Sequence, residues 1–423
     1  MSSKRFKLLN IDYAPGQEGQ PRREELKKLI IGDKLSGGLV NFSHGDIDSF
    51  QPIPDSEIEW LRGFVSGTSQ AYTKYRGAEH ILEMLAKSLT NFTESPIDHK
   101  KELIITPGTQ GALFLAMAAN ISNHSKVAIV EPDYFAIRKT IHFLGAEPVP
   151  LSLNYLRKEG PELDLDKLEH LFKQGVNHFV FSNPNNPTGL IYSPETIKEI
   201  ASLALKYNVS VIADQLYSRM IYSGEKFTHI RSMKSLPDNL ITLMGPSKTE
   251  SMSGFRIGVA FGTDQTIDKM ERIQAIVSLR ASGYSQAVLK SWFNEPIVWM
   301  KDRIKQHEII RNELVSIFRE EGLALAKPQG GCYLFIHLPP LIVDFNTFIL
   351  LLRYQANVTV TSGAQFSPKA KNCIRLNFSQ SRDNAISGAK RIVRMIKLYE
   401  ISPKDQETSL RLSEEFQRRY KTQ

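Results

Sequence analysis

Cysteine is nearly absent. Among 423 residues only Cys332 and Cys373 occur, with no CxxC pair and no histidine at metal-ligand spacing. Neither a disulfide framework nor a zinc site is expected, and no other metal site suggests itself. Long apolar runs are absent too: no window approaches the roughly 20 residues that a membrane-spanning helix needs. The opening stretch "MSSKRFKLLNIDYAPG" is basic but lacks the continuous apolar segment of a secretory signal. The expected compartment is the cytoplasm. Dense charge is also missing. The net charge is +8, yet the basic residues are scattered and form no run or stripe of the kind that binds nucleic acid. No internal repeat or low-complexity tract appears. What remains, 41% apolar and 23% charged residues, describes a globular chain long enough for two domains. Its positive balance suits a small anionic ligand.

From about residue 60 to residue 300, short apolar runs alternate with amphipathic stretches. "ELIITPG", "KVAIVEP", "EPVPLSL", "HFVFSNP", "VSVIADQLY", "LITLMGPSK" and "RIGVAFG" read as seven strands, each bounded by Gly, Pro or Asn. "LDLDKLEHLFKQ" and "SPETIKEIASLALKYN" read as helices, the second with Ser193 as N-cap and Pro194 in its first turn. Strands separated by helices imply crossovers and a largely parallel sheet. Such sheets hold ligands beyond the C-terminal ends of their strands. After residue 300 a charged helix pattern spans 296–322, and "GGCYLFIHL", "NVTVTSG" and "CIRLNFS" read as strands of a smaller α+β unit. The expected division is an N-terminal segment 1–50 packed with the small domain, a large domain 51–299, and a small domain 300–423 ending in a polar tail.

The strand ends carry the chemistry. "HFVFSNPNNPTG" stops in a turn that would hold the Asn186 amide rigidly, although Asn and Pro are also ordinary turn formers. "VIADQLY" places Asp214 and Tyr217 three residues apart; a buried aspartate calls for a partner, whether a ligand, a helix N-cap or a local salt bridge. "LITLMGPSK" ends on Lys248 amid small and hydroxylic residues, where a partly desolvated lysine is a nucleophilic amine. "GPSKT" is not a P-loop, because Ser247 rather than glycine precedes the lysine and Pro246 has no N–H.

In this order Asn186, Asp214, Tyr217, Lys248 and Arg256 resemble the fold type I pyridoxal-phosphate (PLP) enzymes, in particular the class I/II aminotransferases. "NPNNPTG", "ADQLY" and "SKTESMSGFRIG" are similar to that family's N-P-x-N-P-T-G, D-E-x-Y and S-K-x5-G-x-R-x-G signatures, and the likeness runs from "FSHGDIDSFQP" to "CIRLNFS". The resemblance implies an α/β PLP-transferase fold of type I: a large domain with a mostly parallel seven-stranded sheet and a smaller α+β domain. It implies that Lys248 forms the internal aldimine with pyridoxal 5′-phosphate and then shuttles the substrate proton. Asp214 would pair with the pyridine nitrogen, and Tyr217 and Asn186 would hydrogen-bond the phenolic oxygen. Ser247, Arg256 and the helix start Gly108, Thr109 and Gln110 would hold the phosphate. Tyr134 would stack on the ring, and Tyr72 would reach the phosphate of a neighbouring subunit, making the enzyme a homodimer with shared active sites. Arg375 would grip the substrate carboxylate, with Gly45 allowing close backbone approach and Asn186 nearby. Small-domain closure would exclude water.

The implied reaction moves an amino group between an L-α-amino acid and a 2-oxo acid. A lyase, cyclase or amino-acid oxidase on the same scaffold is the alternative, since one carbanion leads to all of them. A PLP-holding sensor domain is disfavoured because no helix-turn-helix pattern precedes residue 45. Departures from the family pattern are Gln215 after Asp214, Gly245 in place of a phosphate-binding Ser or Thr, and Ser362-Gly363 for Pro-Gly. Gln110, where some relatives acting on dicarboxylic amino acids have lysine, argues against aspartate or glutamate as the favoured donor. His44, Tyr75, Arg76 and Arg138 are further polar candidates for the side-chain pocket.

Overall fold

A computed structural model describes residues 26–43, 45, 49–66, 71–157 and 159–401. His44 and the polar C-terminal tail lie outside the described residues. The described residues divide into two compact units, one made of those within 46–305 and 329–331, the other of those within 11–45, 306–328 and 332–423.

All seven expected strands of the first unit form: β1 (Leu103–Thr106), β2 (Lys126–Glu131), β3 (Glu147–Asn154), β5 (His178–Ser182), β6 (Ser210–Asp214), β7 (Leu240–Met244) and β8 (Gly258–Gly262). A two-residue strand that the sequence does not announce, β4 (Glu162–Leu163), pairs antiparallel with β3 at the edge. The sheet runs β1-β8-β7-β6-β5-β2-β3-β4. Strands β3, β2, β5, β6 and β7 are mutually parallel, whereas β8 is antiparallel to both its neighbours, β7 and β1. One consequence governs the function. The C-terminal ends of β1, β2, β5, β6 and β7 and the N-terminal end of β8 lie along one edge of the sheet.

The central strands are apolar without alternation because helices cover both faces. Phe179, Phe181, Val211 and Ala213 enter one core with Ile197, Ile200 and Ala204 of α4 (Pro194–Lys206). Val180, Ile212, Ile241 and Leu243 enter the other with Ala112, Leu113 and Ala116 of α1 (Gly108–Asn120). Each fully buried Ile or Val side chain contributes about 1.5–3 kcal/mol. Helix α4 begins as its sequence dictates: Ser193 Oγ accepts from Thr196 N at 3.1 Å and Pro194 fills the first turn. Asp164 caps α3 (Leu165–Lys173) in the same way through Lys167 N, at 2.8 Å.

The second unit holds an antiparallel sheet in the order β9 (Tyr333–His337), β11 (Cys373–Asn377), β10 (Thr361–Ser362). Val40–Asn41 pairs in parallel with Val358–Thr359, and the helices Phe345–Ala356 and Arg382–Tyr399 complete it. The expected long helix forms over Ile297–Glu320. Among the described residues no helix is long and apolar enough to cross a membrane, and no cluster of His, Cys, Asp or Glu is placed to hold a metal ion.

Candidate active site

Three neighbouring strand ends bring the first unit's candidates together. Ser182 of β5 sits in register with Asp214 of β6, and Asp214 with Leu243 of β7. Asn186 follows β5 by four residues and Lys248 follows β7 by four, in the turn that succeeds Met244. Asn186, Asp214, Tyr217 and Ser247 are buried, and Lys248 is half-buried. The Asn186 backbone is pinned by its N–H, which donates to Ser182 Oγ at 3.1 Å. The ring of Tyr217 lies against Gly331, where a Cβ would come within 3.3 Å of it.

Asp214 is the electrostatic centre. Burial pushes its carboxyl up to about 6, opposed only by a hydrogen bond from Leu216 N, at 3.1 Å to Oδ1. No cation faces it among the described residues, so the local salt bridge that a buried aspartate suggests is not what this one makes. A carboxylate held with so little compensation suits a cationic N–H donor supplied from outside the chain.

An anion cradle lies beside it. Helix α1 starts at Gly108 with no side chain capping its first turn, which leaves the amides of Gly108, Thr109 and Gln110 for a ligand. The guanidinium of Arg256 folds across this helix start so closely that a Cβ on Gly108 would stand 2.5 Å from Nη2. Gly258 is required by the same crowding, since its Cβ would fall 2.4 Å from Thr109 N. Gly245, which departs from the expected hydroxyl residue, has a local reason: a Cβ there would meet Thr109 Oγ1 at 2.5 Å. That threonine bonds Met244 O at 3.4 Å. Gln110 accepts from the Tyr134 hydroxyl at 2.9 Å and so links helix α1 to the loop after β2.

In the second unit Arg375 is buried on β11. Its guanidinium lies over the rings of Tyr333 (4.2 Å) and Phe366 (4.8 Å), while Nη2 donates to Ser43 O at 2.8 Å, two residues before Gly45. Stacking of this kind fixes the plane of the fork that a carboxylate needs.

The other candidates have partners of their own. Arg76 donates to Glu271 at 2.5 Å and to the carbonyls of Lys100 and Lys101 at 2.9 Å. Arg138 pairs with buried Glu131. Tyr72, 77% exposed, and Tyr75 flank Arg280, whose guanidinium stands 4.4 and 4.2 Å from their rings.

Two groups escaped the sequence reading. Asp133, directly before Tyr134, is fully buried and hydrogen-bonded to Ser182. Arg219, two residues after Tyr217, pairs with Glu250, two residues after Lys248, at 2.6 Å, and also with Glu295. Arg303 holds the same turn through Thr249 O (3.2 Å) and Ser251 Oγ (2.6 Å). An acidic residue immediately beyond a buried strand, on the same sheet edge as Asp214, was the signal available for Asp133. Nothing in the sequence announced that residues 219 and 250 would meet.

The profile of the family described as "Aminotransferase class I and II" matches residues 38–392. The chain belongs to this family. A solved structure of an aspartate aminotransferase from Rhodobacter sphaeroides is 50% identical, with a TM-score of 0.86, covering 89% of this chain and all of the other. An aspartate aminotransferase of Sulfurisphaera tokodaii is 28% identical over 85% of this chain and 90% of its own length. An aromatic-amino-acid aminotransferase of Thermococcus litoralis is 23% identical over 88% and 95%. The protein is thus a pyridoxal-phosphate-dependent transaminase of fold type I, acting on amino acids and keto acids. The donor set of this aminotransferase suits that cofactor at both ends, with the under-compensated Asp214 for a ring N–H and the uncapped start of α1 beside Arg256 for a phosphate.

Proposed function

We propose that Lys248 is the amine that binds pyridoxal phosphate and, once substrate has displaced it, moves the proton from the substrate Cα. The observation that carries this reading is the convergence of Asn186, Asp214 and Lys248 on three adjacent strand ends around a buried carboxylate with no cation of its own. When bound, the cofactor supplies a ring that accepts the electron pair left on Cα. The chain does the rest. Asp214, ionised, keeps a proton on the ring nitrogen. Asn186 and Tyr217 donate to the phenolic oxygen. The amides of Gly108, Thr109 and Gln110, with Ser247 and Arg256, hold the phosphate, and Tyr134, steadied by Gln110, covers the ring face. Arg375, clamped between Tyr333 and Phe366, takes the substrate carboxylate near Gly45.

The same reading makes the enzyme a cytoplasmic homodimer with Tyr72 completing the partner's phosphate site. Its support is the apolar surface left on the first unit. Leu61, Phe64 and Val65 of the helix Ser56–Val65 are more than half exposed, Ile58 is close to that, and Ile276 is 84% exposed.

The test is the near-ultraviolet and visible spectrum of the PLP-loaded protein, taken with single amino acids that include aspartate and an aromatic donor. A cofactor band that bleaches with one donor and returns with a 2-oxo acid is the expected result and names the donor. A band that bleaches only while oxygen is consumed, or while keto acid forms without an amino acceptor, assigns this chain another outcome on the same scaffold. Absence of any band removes Lys248 from its role.

A further inference from the structure

Asp133 has no part in the reading above, yet it is buried among hydrogen-bond donors. It is fully buried just beyond β2, and its three hydrogen bonds join its own loop, at Tyr134, to the end of β5, at Ser182. Oδ1 accepts from Tyr134 N at 2.6 Å and from Ser182 Oγ, and Oδ2 accepts from Ser182 N at 3.0 Å. Ser182 Oγ in turn accepts from Asn186 N at 3.1 Å. The carboxyl does not serve as a helix cap: α2 (Phe135–Phe143) starts after Tyr134 without a capping side chain. It reaches instead across the sheet to β5, the neighbour of β2.

The placement has a cost. Burial drives the Asp133 carboxyl up to about 7 in spite of its donors, and Asp214 adds to the rise. The ionisable groups around it are Asp214 and the buried Tyr192, whose hydroxyl Asp133 helps push well above its usual range. A neutral residue at this position would spare the fold a second buried acid beside the first.

We propose that Asp133 is a positioning residue of the transaminase site: through Ser182 Oγ it fixes Asn186, and through the Tyr134 amide it fixes the ring partner, so that two cofactor contacts on separate loops share one anchor. The proposal rests on the reading that Asn186 donates to the cofactor's phenolic oxygen. A donor there stabilises the anionic oxygen, so weakening it lets the proton-bearing form of the bound cofactor persist to higher pH.

The experiment titrates the visible band of the PLP-loaded protein against pH in wild type, Ser182→Ala, Ser182→Thr and Asn186→Ala. Asn186→Ala is expected to raise the midpoint by about one pH unit, as loss of one charge-assisted hydrogen bond does. Ser182→Ala is expected to move it the same way by about half as much, and Ser182→Thr, which restores a hydroxyl, to return it toward wild type. A shifted Asn186→Ala beside an unshifted Ser182→Ala overturns the anchor role of Asp133 and leaves the reading of Asn186 intact. An unshifted Asn186→Ala overturns both. Asp133→Asn gives an independent measure, because an amide cannot accept from both the Ser182 N–H and the Tyr134 N–H. Its cofactor should dissociate about tenfold faster in dialysis, and retention equal to wild type overturns the proposal.

Discussion

Two clusters of buried acid stand on the same unit and are treated in opposite ways. Glu250 is fully buried and its carboxyl is pushed up by burial, but Arg219 draws it back down, and Trp292 Nε1 donates to it at 3.1 Å. The same arginine takes Glu295 and lies over the ring of Phe293 at 4.1 Å. Asp214 and Asp133 are buried as deeply and rise to about 6 and about 7, opposed by hydrogen bonds alone. The difference separates structure from function. The Glu250 cluster contains its own cation, and by tying the residue after next to Tyr217 to the residue after next to Lys248 it holds two loops in one geometry. The aspartates leave charge that the chain does not neutralise, and at Asp214 a cationic ring N–H would offset it.

The largest effect should come from breaking the ion-paired cluster. Glu250→Ala leaves Arg219 with one carboxylate fewer in a buried setting and is expected to cost the cofactor-free protein about 3–5 kcal/mol in urea denaturation. Asp214→Asn should act in the opposite direction. A carboxyl that must ionise in a buried site destabilises the fold near neutral pH, so this variant should make the cofactor-free protein about 2 kcal/mol more stable while abolishing transamination. If both substitutions destabilise alike, the two clusters are not different in kind.

A smaller effect appears with pH. Both aspartates have folded values above their ordinary one, so the stability they contribute is full below the usual carboxylate range and is lost as pH rises through about 6 and about 7. His229 works against them. Burial depresses it to about 4, so its contribution is present above the usual imidazole value and lost as pH falls toward 4. The cofactor-free protein should therefore lose stability between pH 6.5 and 7.5, by about 1 kcal/mol, and Asp133→Asn should flatten that slope. An unchanged slope in the variant would place the titrating group elsewhere.

Much of this was legible in the sequence because the informative residues are local. Seven apolar runs bounded by Gly, Pro or Asn became seven strands at nearly their expected limits, and Ser193-Pro194 started its helix as capping chemistry requires. Asn186, Asp214 and Lys248 could be placed at strand ends because a parallel sheet puts those ends together. What could not be read depends on which strand neighbours which. Asp133 meets Ser182 only because β2 lies beside β5, 49 residues on. Arg219 meets Glu250 across loops 31 residues apart. Arg76 and Arg138 looked available for a pocket until their partners Glu271 and Glu131 were in view. Gly245 looked like a lost phosphate ligand until Thr109 was seen to need its space.

The most direct test of the central claim is to reduce the PLP-loaded protein with borohydride and locate the pyridoxyl group by peptide mass spectrometry. The arrangement of Asn186, Asp214 and Lys248 predicts a single modified site, Lys248, with Asp214→Asn still labelled there but inactive. A pyridoxyl group on any other lysine, or none in protein that retains the cofactor, would contradict it.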